Sequence, residues 1–148
     1  SAYNIIPHTT QITGSVRTFD QTVRENVKRW IEEIARGIAR AQGGDIDFAY
    51  SYGYGFVVND PALTEAAAAV IRETFGPQAV VPIGPQMPGE DFCHFLEKCP
   101  GFFVEVGAAS PEKGITAPHH NPLYQLDEDA LPLAAEYVAA LLSSRLKR

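Results

Sequence analysis

The sequence is poor in cysteine, in basic residues and in long apolar runs. Its 148 residues include two cysteines, Cys93 and Cys99, whose spacing matches neither a C-x-x-C redox pair nor a usual zinc knuckle. We therefore expect two ordinary thiols. Lys and Arg total 12 against 18 Asp and Glu, which leaves a formal charge of -6. This balance argues against binding to the phosphates of nucleic acid.

Long apolar segments are also missing. No run approaches the roughly 20 residues of a membrane-spanning helix, and the N-terminus has neither a basic region nor the apolar core of a signal peptide. We expect a soluble, cytoplasmic protein without a membrane partner. The hydrophobic content of 45% and charged content of 20% suit one ordinary globular domain. Because the chain starts at Ser1 without an initiator methionine, it reads as a portion of something longer.

Two segments alternate between apolar and polar residues and predict strands. Residues 10–19 place Arg17 on the face opposite Ile12 and Val16. Residues 46–56 carry aromatic side chains on one face, which is more typical of a core than of a ligand platform. A helix with an apolar stripe lies between them. Its apolar positions are Val23, Val27, Trp30, Ile31, Ile34 and Ile38, with Asp20 or Thr22 at its start and Gly43 and Gly44 at its end.

The pattern changes after Asn59, and we place a domain boundary near residue 57. Asp60 caps an alanine-rich helix that begins at Pro61 and runs to about Phe75, before Gly76. Strand and helix then alternate, which predicts an α/β layer. The remaining predicted elements are extended segments at 79–83 and 102–106 and helices at 90–97 and 129–146.

A long loop at residues 107–126 contains the neighbouring His119 and His120. Loops beyond about 12 to 15 residues are uncommon in compact domains unless they serve a function. Adjacent histidines rarely bind one metal ion together, and a site needs three or more ligands. The residues alone leave a metal-binding and a structural interpretation open.

Other polar residues are equally ambiguous when taken singly. Glu90 and Asp91 stand at a predicted helix start, where carboxylates interact favourably with free N–H groups. Arg17 can clamp a carboxylate through its planar fork or be a solvated strand residue. His8 and His94 have no evident context, and we interpret both as structural or exposed.

Seven short stretches in a fixed order are more specific than any of these residues. Together they resemble the M20 peptidase family of metal-dependent amidohydrolases, and their style is closest to the hippurate hydrolase and auxin-conjugate hydrolase branch. The stretches are N-I-I-P at 4–7, G-S-V-R-T-F at 14–19, N-D at 59–60, M-P-G-E-D-F at 87–92, P-G-F-F at 100–103, V-G at 106–107 and H-N-P-L-Y at 120–124.

The resemblance implies an α/β fold class made of two parts. Residues 1–56 would belong to a lid or dimerisation domain, as part of a ferredoxin-like half. Residues 57–148 would form the C-terminal part of the catalytic domain. It also implies a homodimer formed through the lid and a small-molecule substrate. The complete enzyme would hydrolyse the amide bond of N-acyl amino acids or small peptides.

The resemblance also assigns roles to individual residues. It selects His120 over His119 as a metal ligand, and it gives Arg17 and Asn4 to the substrate carboxylate and the scissile carbonyl. Two divalent ions, zinc or manganese, are implied in the complete enzyme. The general-base glutamate and the other metal ligands would lie upstream, so we expect no catalytic residue in this chain and little activity from it alone. Cys93 departs from the family, which often has a small polar residue there.

Two alternatives remain beside the hydrolase. A non-catalytic dimerisation or binding module would suit the strand and helix of residues 10–42, which can pair through an exposed edge. One half of a split enzyme would need a second polypeptide to supply the missing residues. His120 within H-N-P distinguishes the hydrolase from the dimerisation module, because a pure dimerisation module has no need of this histidine.

Overall fold

The computed structural model describes residues 3–146, which divide into two compact units. The first unit runs through Gly53 and includes Gln86–Gly89, and the second comprises Tyr54–Pro85 and the described residues from Glu90 onward. The predicted domain ends at residues 1 and 148 lie outside the described residues. The assignment of the two parts to a lid and a catalytic domain stays a prediction. None of the described helices combines the length and hydropathy of a membrane span.

Helix α1, Gln21–Ala41, dominates the first unit. Asp20 has an extended backbone, and its carboxylate accepts a hydrogen bond from the Val23 N–H at 2.8 Å, as an N-cap residue does. Of the two predicted starting residues, the structure therefore selects Asp20. The helix ends where Gly43 adopts a left-handed φ of 77°, which confirms the predicted end.

The aromatic segment after α1 contacts the charged side of that helix. Arg24 donates a hydrogen bond to the Gly53 carbonyl at 2.7 Å, and the Tyr52 hydroxyl donates to a Glu25 carboxylate oxygen at 2.5 Å. The Lys28 ammonium lies 5.2 Å from the centre of the Tyr52 ring, within range of a cation–π interaction. The prediction of an aromatic core face is wrong for Tyr52 and Tyr54, which are exposed, and the polar hydroxyl of tyrosine favours such a position.

Helices α2 and α4 pack against each other in the second unit. Helix α2, Pro61–Phe75, is capped by Asp60, which accepts from the Leu63 N–H at 2.8 Å, and helix α4 spans Ala130–Leu146. The ends of both helices agree with the ends predicted from the sequence within one residue. The buried side chains of these two helices are small except for one. They are Ala67 and Ala68 of α2 and Ala130 and Tyr137 of α4.

The side chain of Asn59 holds a second part of this unit together. Its Nδ2 donates to the Phe103 carbonyl at 2.9 Å, and its Oδ1 accepts from the Phe103 N–H at 2.8 Å. The next residue, Asp60, donates its backbone N–H to the Gly101 carbonyl at 2.8 Å. The N-D and P-G-F-F stretches, far apart in sequence, are therefore hydrogen-bonded neighbours.

The helix predicted at 90–97 is shorter in the structure, where α3 is Cys93–Leu96. At its start, a Glu90 carboxylate oxygen accepts from the Phe92 N–H at 3.2 Å, so this segment forms a turn instead of a helical ladder. At its end, Cys99 precedes Pro100, and a residue before proline is disfavoured in helical conformation.

The α/β layer predicted from alternation is not confirmed. Within residues 3–146 the structure has helices, short turns and one isolated antiparallel bridge between Ser110 and Ile115, without a strand ladder. The segments predicted as strands, 10–19, 46–56, 79–83 and 102–106, are not paired in a sheet, and Ala79 ends a short 3-10 helix, Pro77–Ala79. The physical reason is that apolar and polar residues alternating along a segment show only which side chains share a face. A strand also needs a neighbour for its backbone hydrogen bonds, and the described residues supply none.

We predict that Asn59→Ala destabilises the protein by about 1 to 3 kcal/mol, because it leaves the Phe103 N–H and carbonyl without their partner. Urea unfolding of the whole protein measures this change. Asn59→Asp keeps the acceptor for the Phe103 N–H but sets a carboxylate oxygen against the Phe103 carbonyl, so we expect it to be destabilising as well. Equal stability of wild type and Asn59→Ala would contradict this account.

Candidate functional site

His120 has an unusual backbone conformation. Its φ is 65°, and no other described residue except glycine has a positive φ. Such a left-handed position costs a non-glycine residue on the order of 1 to 3 kcal/mol and is often found at functional sites. The family resemblance selects the same histidine as a metal ligand, and that role stays a prediction.

The turn around His120 is organised by the next residue, Asn121. Its Oδ1 accepts a hydrogen bond from the Leu123 N–H at 2.8 Å, and its backbone carbonyl accepts from the Tyr124 N–H at 2.9 Å. Its own N–H donates to the Pro118 carbonyl at 3.2 Å. Asparagine side chains commonly close turns in this way, which explains the asparagine of H-N-P.

The two adjacent histidines have different environments. The His119 ring lies edge-to-face on the Tyr124 ring, with 4.8 Å between the ring centres. The His120 imidazole has no hydrogen bond or ring contact with any described residue, and its side chain is exposed. His119 thus has a packing partner inside the turn, whereas the His120 nitrogens are available to a ligand.

An ionic cluster closes the base of the loop that carries His120. The Lys113 ammonium donates to an Asp127 carboxylate oxygen at 2.7 Å and also to Asp129. Asp127 in turn donates its backbone N–H to the Ala108 carbonyl at 2.8 Å. The hydrogen bond from Lys113 lowers the pKa of the Asp127 carboxyl, and the two carboxylates, Asp127 first, raise the pKa of Lys113.

Arg17 and Asn4, the predicted substrate-binding residues, lie in the first unit, whereas His120 lies in the second. Arg17 is exposed, and its Nη1 donates to the Met87 carbonyl. This contact fixes one of the five guanidinium N–H donors and leaves others for a ligand. Asn4 lies in an exposed turn.

A metal ion needs several donors at one place. Among the described residues, the one group of three or more ligand-type side chains close enough for a metal is Cys93, His94 and Glu97. It does not include His120. An exposed imidazole without internal partners fits the role of one ligand, but the described residues do not complete a metal centre around it.

The group of Cys93, His94 and Glu97 was not predicted from the sequence, where His94 was expected to be structural or exposed and Cys93 an ordinary thiol. The signal that was available is the C-H-x-x-E spacing, because residues four apart on a helical turn face the same side.

Comparison with known proteins adds a family to this geometry. The sequence profile of peptidase family M20/M25/M40 matches residues 5–144. An N-acetylcysteine deacetylase of Bacillus subtilis is 35% identical over 95% of this chain and 35% of its own length. An N-acetyldiaminopimelate deacetylase of Shouchella clausii is 35% identical over 98% of this chain and 37% of its own length. Thermostable carboxypeptidase 2 of Saccharolobus solfataricus is 30% identical over 89% of this chain and 33% of its own length.

A solved structure is similar as well. A candidate aminohydrolase from methicillin resistant Staphylococcus aureus superposes with a TM-score of 0.66 at 29% identity, covering 82% of this chain and 31% of that one. The chain spans about a third of the length of the curated relatives it matches.

We predict that Lys113→Met raises the pKa of Asp127 toward its ordinary value of 3.8, since the lowering contact is removed. Wild-type stability from Asp127 is present above pH 3.8 and is lost as pH falls through the lower folded pKa. Stability from Lys113 is present below pH 10.5 and is lost as pH rises through its higher folded pKa. A carboxyl NMR titration checks the first shift, with Lys98→Met as the charge-matched control. An unchanged Asp127 pKa in Lys113→Met would refute the role of Lys113 in the ionic cluster.

Proposed function

Because the chain belongs to peptidase family M20/M25/M40, we propose that the whole protein hydrolyses the amide bond of N-acyl amino acids or small peptides. The names of its relatives support this substrate class. Two are deacetylases of N-acetylated amino acids, and one is a carboxypeptidase. The amide in such substrates lies close to a free carboxylate, and the proposal assigns separate residues to the two groups.

The observation that carries the proposal is the state of His120. It has a left-handed backbone in an exposed turn, and its imidazole is unused by the described residues. We assign it as one ligand of a divalent metal, with zinc or manganese as the metal and two ions in the complete centre. The other ligands and the general-base glutamate belong to parts of the protein beyond these residues. When bound, such ions polarise the amide carbonyl and lower the pKa of a coordinated water to about 7.

Arg17 is assigned to the carboxylate of the substrate. A guanidinium presents two parallel N–H groups to a carboxylate, and Arg17 has donors left beside its contact with the Met87 carbonyl. Asn4 is assigned to the scissile carbonyl, to which its amide can donate. A bidentate clamp of this kind favours terminal amino acids over internal peptide bonds.

The whole protein completes the architecture in this proposal. The extended segments 79–83 and 102–106 join a sheet there, which gives the α/β fold, and residues 1–56 form the lid. Since the 148 residues hold one proposed metal ligand, we expect them to be inactive alone. The proposal also includes a cytoplasmic location.

A second candidate function is a dimerisation module, and one observation favours it. The stripe of helix α1 leaves large apolar side chains exposed, and exposed apolar patches mark interaction sites. The exposed members are Val23, Trp30, Ile31, Ile34 and Ile38. The two functions are compatible, because a lid that pairs with a second copy also fits the hydrolase.

We predict that His120→Asn lowers amide hydrolysis by the whole protein more than about 100-fold, since loss of even an indirect metal contact costs 10 to 100-fold. Asparagine tolerates a left-handed backbone, so the turn is kept. His119→Asn is the matched control and should keep activity within about threefold. The measurement is hydrolysis of an N-acetyl amino acid together with bound metal. An equal loss in both variants would refute the assignment of His120.

We predict that Arg17→Lys raises KM for an N-acyl amino acid by about 10 to 100-fold, because lysine keeps the charge but not the planar fork. The KM for the matching carboxamide substrate should change little. Arg29→Lys, on the exposed surface of α1, controls for the substitution itself. If both substrates lose affinity equally, Arg17 acts through its Met87 contact and not through the substrate carboxylate.

A further inference from the structure

Three ligand-type side chains meet at helix α3 in the second unit. The Cys93 sulfur, a His94 ring nitrogen and a Glu97 carboxylate oxygen all lie within 4.8 Å of one another. The His94 Nδ1 and the Glu97 Oε2 are 3.5 Å apart. We propose that Cys93, His94 and Glu97 bind a zinc-type divalent cation at a site separate from His120.

The backbone of Gly55 is an independent observation in favour of this site. Its N–H donates to the Cys93 sulfur at 3.2 Å. This contact fixes the position of the sulfur, which is the donor atom that a zinc-type cation would use. A Cβ at this position would lie 3.3 Å from Glu97 Oε1 and 3.7 Å from the Cys93 sulfur. Glycine thus lets the backbone approach two of the three donors.

The geometry allows a metal after a small adjustment. Zinc bonds of about 2.3 Å to sulfur and 2.0 to 2.1 Å to nitrogen place tetrahedral ligands roughly 3.5 Å apart, so the donors must close by about 1 Å. The Glu97 side chain is 55% exposed, which leaves room for a change of rotamer. Cys93 is 1% exposed and stays fixed. Three protein ligands leave a fourth position for water, as in open zinc sites.

The donor types select the cation. Thiolate and imidazole favour zinc and related transition metals, whereas magnesium and calcium prefer sets made of oxygen alone. The His94 ring is also held from outside the cluster, because it lies edge-to-face on the Tyr54 ring at 5.9 Å. Orientation of a ligating histidine by a neighbouring group is a common feature of metal sites.

Two simpler interpretations explain less of the structure. An ion pair accounts for His94 and Glu97, but it gives no reason for the Cys93 sulfur beside them or for the close approach of Gly55. A nucleophilic cysteine would have to reach a substrate, and Cys93 is buried. A metal uses the sulfur, the imidazole and the carboxylate together.

Cobalt titration of the metal-free whole protein tests the proposal, because a thiolate bound to Co²⁺ absorbs in the near ultraviolet. We expect this band in wild type and in Cys99→Ser, the matched thiol control, and we expect a loss of intensity in Cys93→Ser. His94→Asn and Glu97→Gln should each weaken zinc binding at this site at least about tenfold, measured by competition with a chelator. Identical cobalt spectra of wild type and Cys93→Ser would overturn the proposal.

The exposed ligands keep the test decisive if Cys93→Ser does not fold. Wild-type zinc affinity in both His94→Asn and Glu97→Gln would then overturn it. The site is also separable from the proposed function. His120→Asn should lose hydrolysis and keep the Cys93-dependent band, whereas the His94 variant should lose zinc at this site and keep the metal of the hydrolytic centre.

Discussion

The amide side chain of Asn59 makes the backbone hydrogen bonds that a neighbouring strand would otherwise make, and the second unit depends on them. It satisfies both the N–H and the carbonyl of Phe103, while Asp60 beside it binds Gly101 and caps helix α2. Two adjacent side chains therefore set the start of a helix and the position of an extended segment at once. Since backbone groups left without partners are costly, this pairing helps residues 101–103 to lie beside the start of α2 outside a sheet.

Features that depend on neighbours in sequence were predictable, and features that depend on distant partners were not. Asp20, Asp60 and Pro61 gave correct helix starts, because a cap and its N–H group lie within three residues. The apolar–polar alternation at 10–19 and 46–56 carries no information about the strand that would pair with either segment. The short α3 shows the same limit, since a turn at Glu90 competed with the helix.

The candidate sites show a parallel division. Family-like motifs pointed to His120, and the left-handed turn and the contact between His119 and Tyr124 support choosing it over its neighbour. The group at Cys93 escaped notice, because Gly55 takes part in it from far along the chain and no local pattern announces that contact. The roles of Arg17 and Asn4 remain predictions, since they concern a ligand that the chain meets only in the complete protein.

The left-handed backbone at His120 has an evolutionary consequence. Folding alone prefers glycine or asparagine at such a position, so a mutation of His120 to either residue would lower the backbone strain of the turn. A histidine persists there only while selection for its imidazole outweighs that preference. In a lineage released from such selection, this codon should drift before those of Asn121 or Tyr124, whose contacts maintain the turn itself. The residue at this position thus reports whether the imidazole is still under selection.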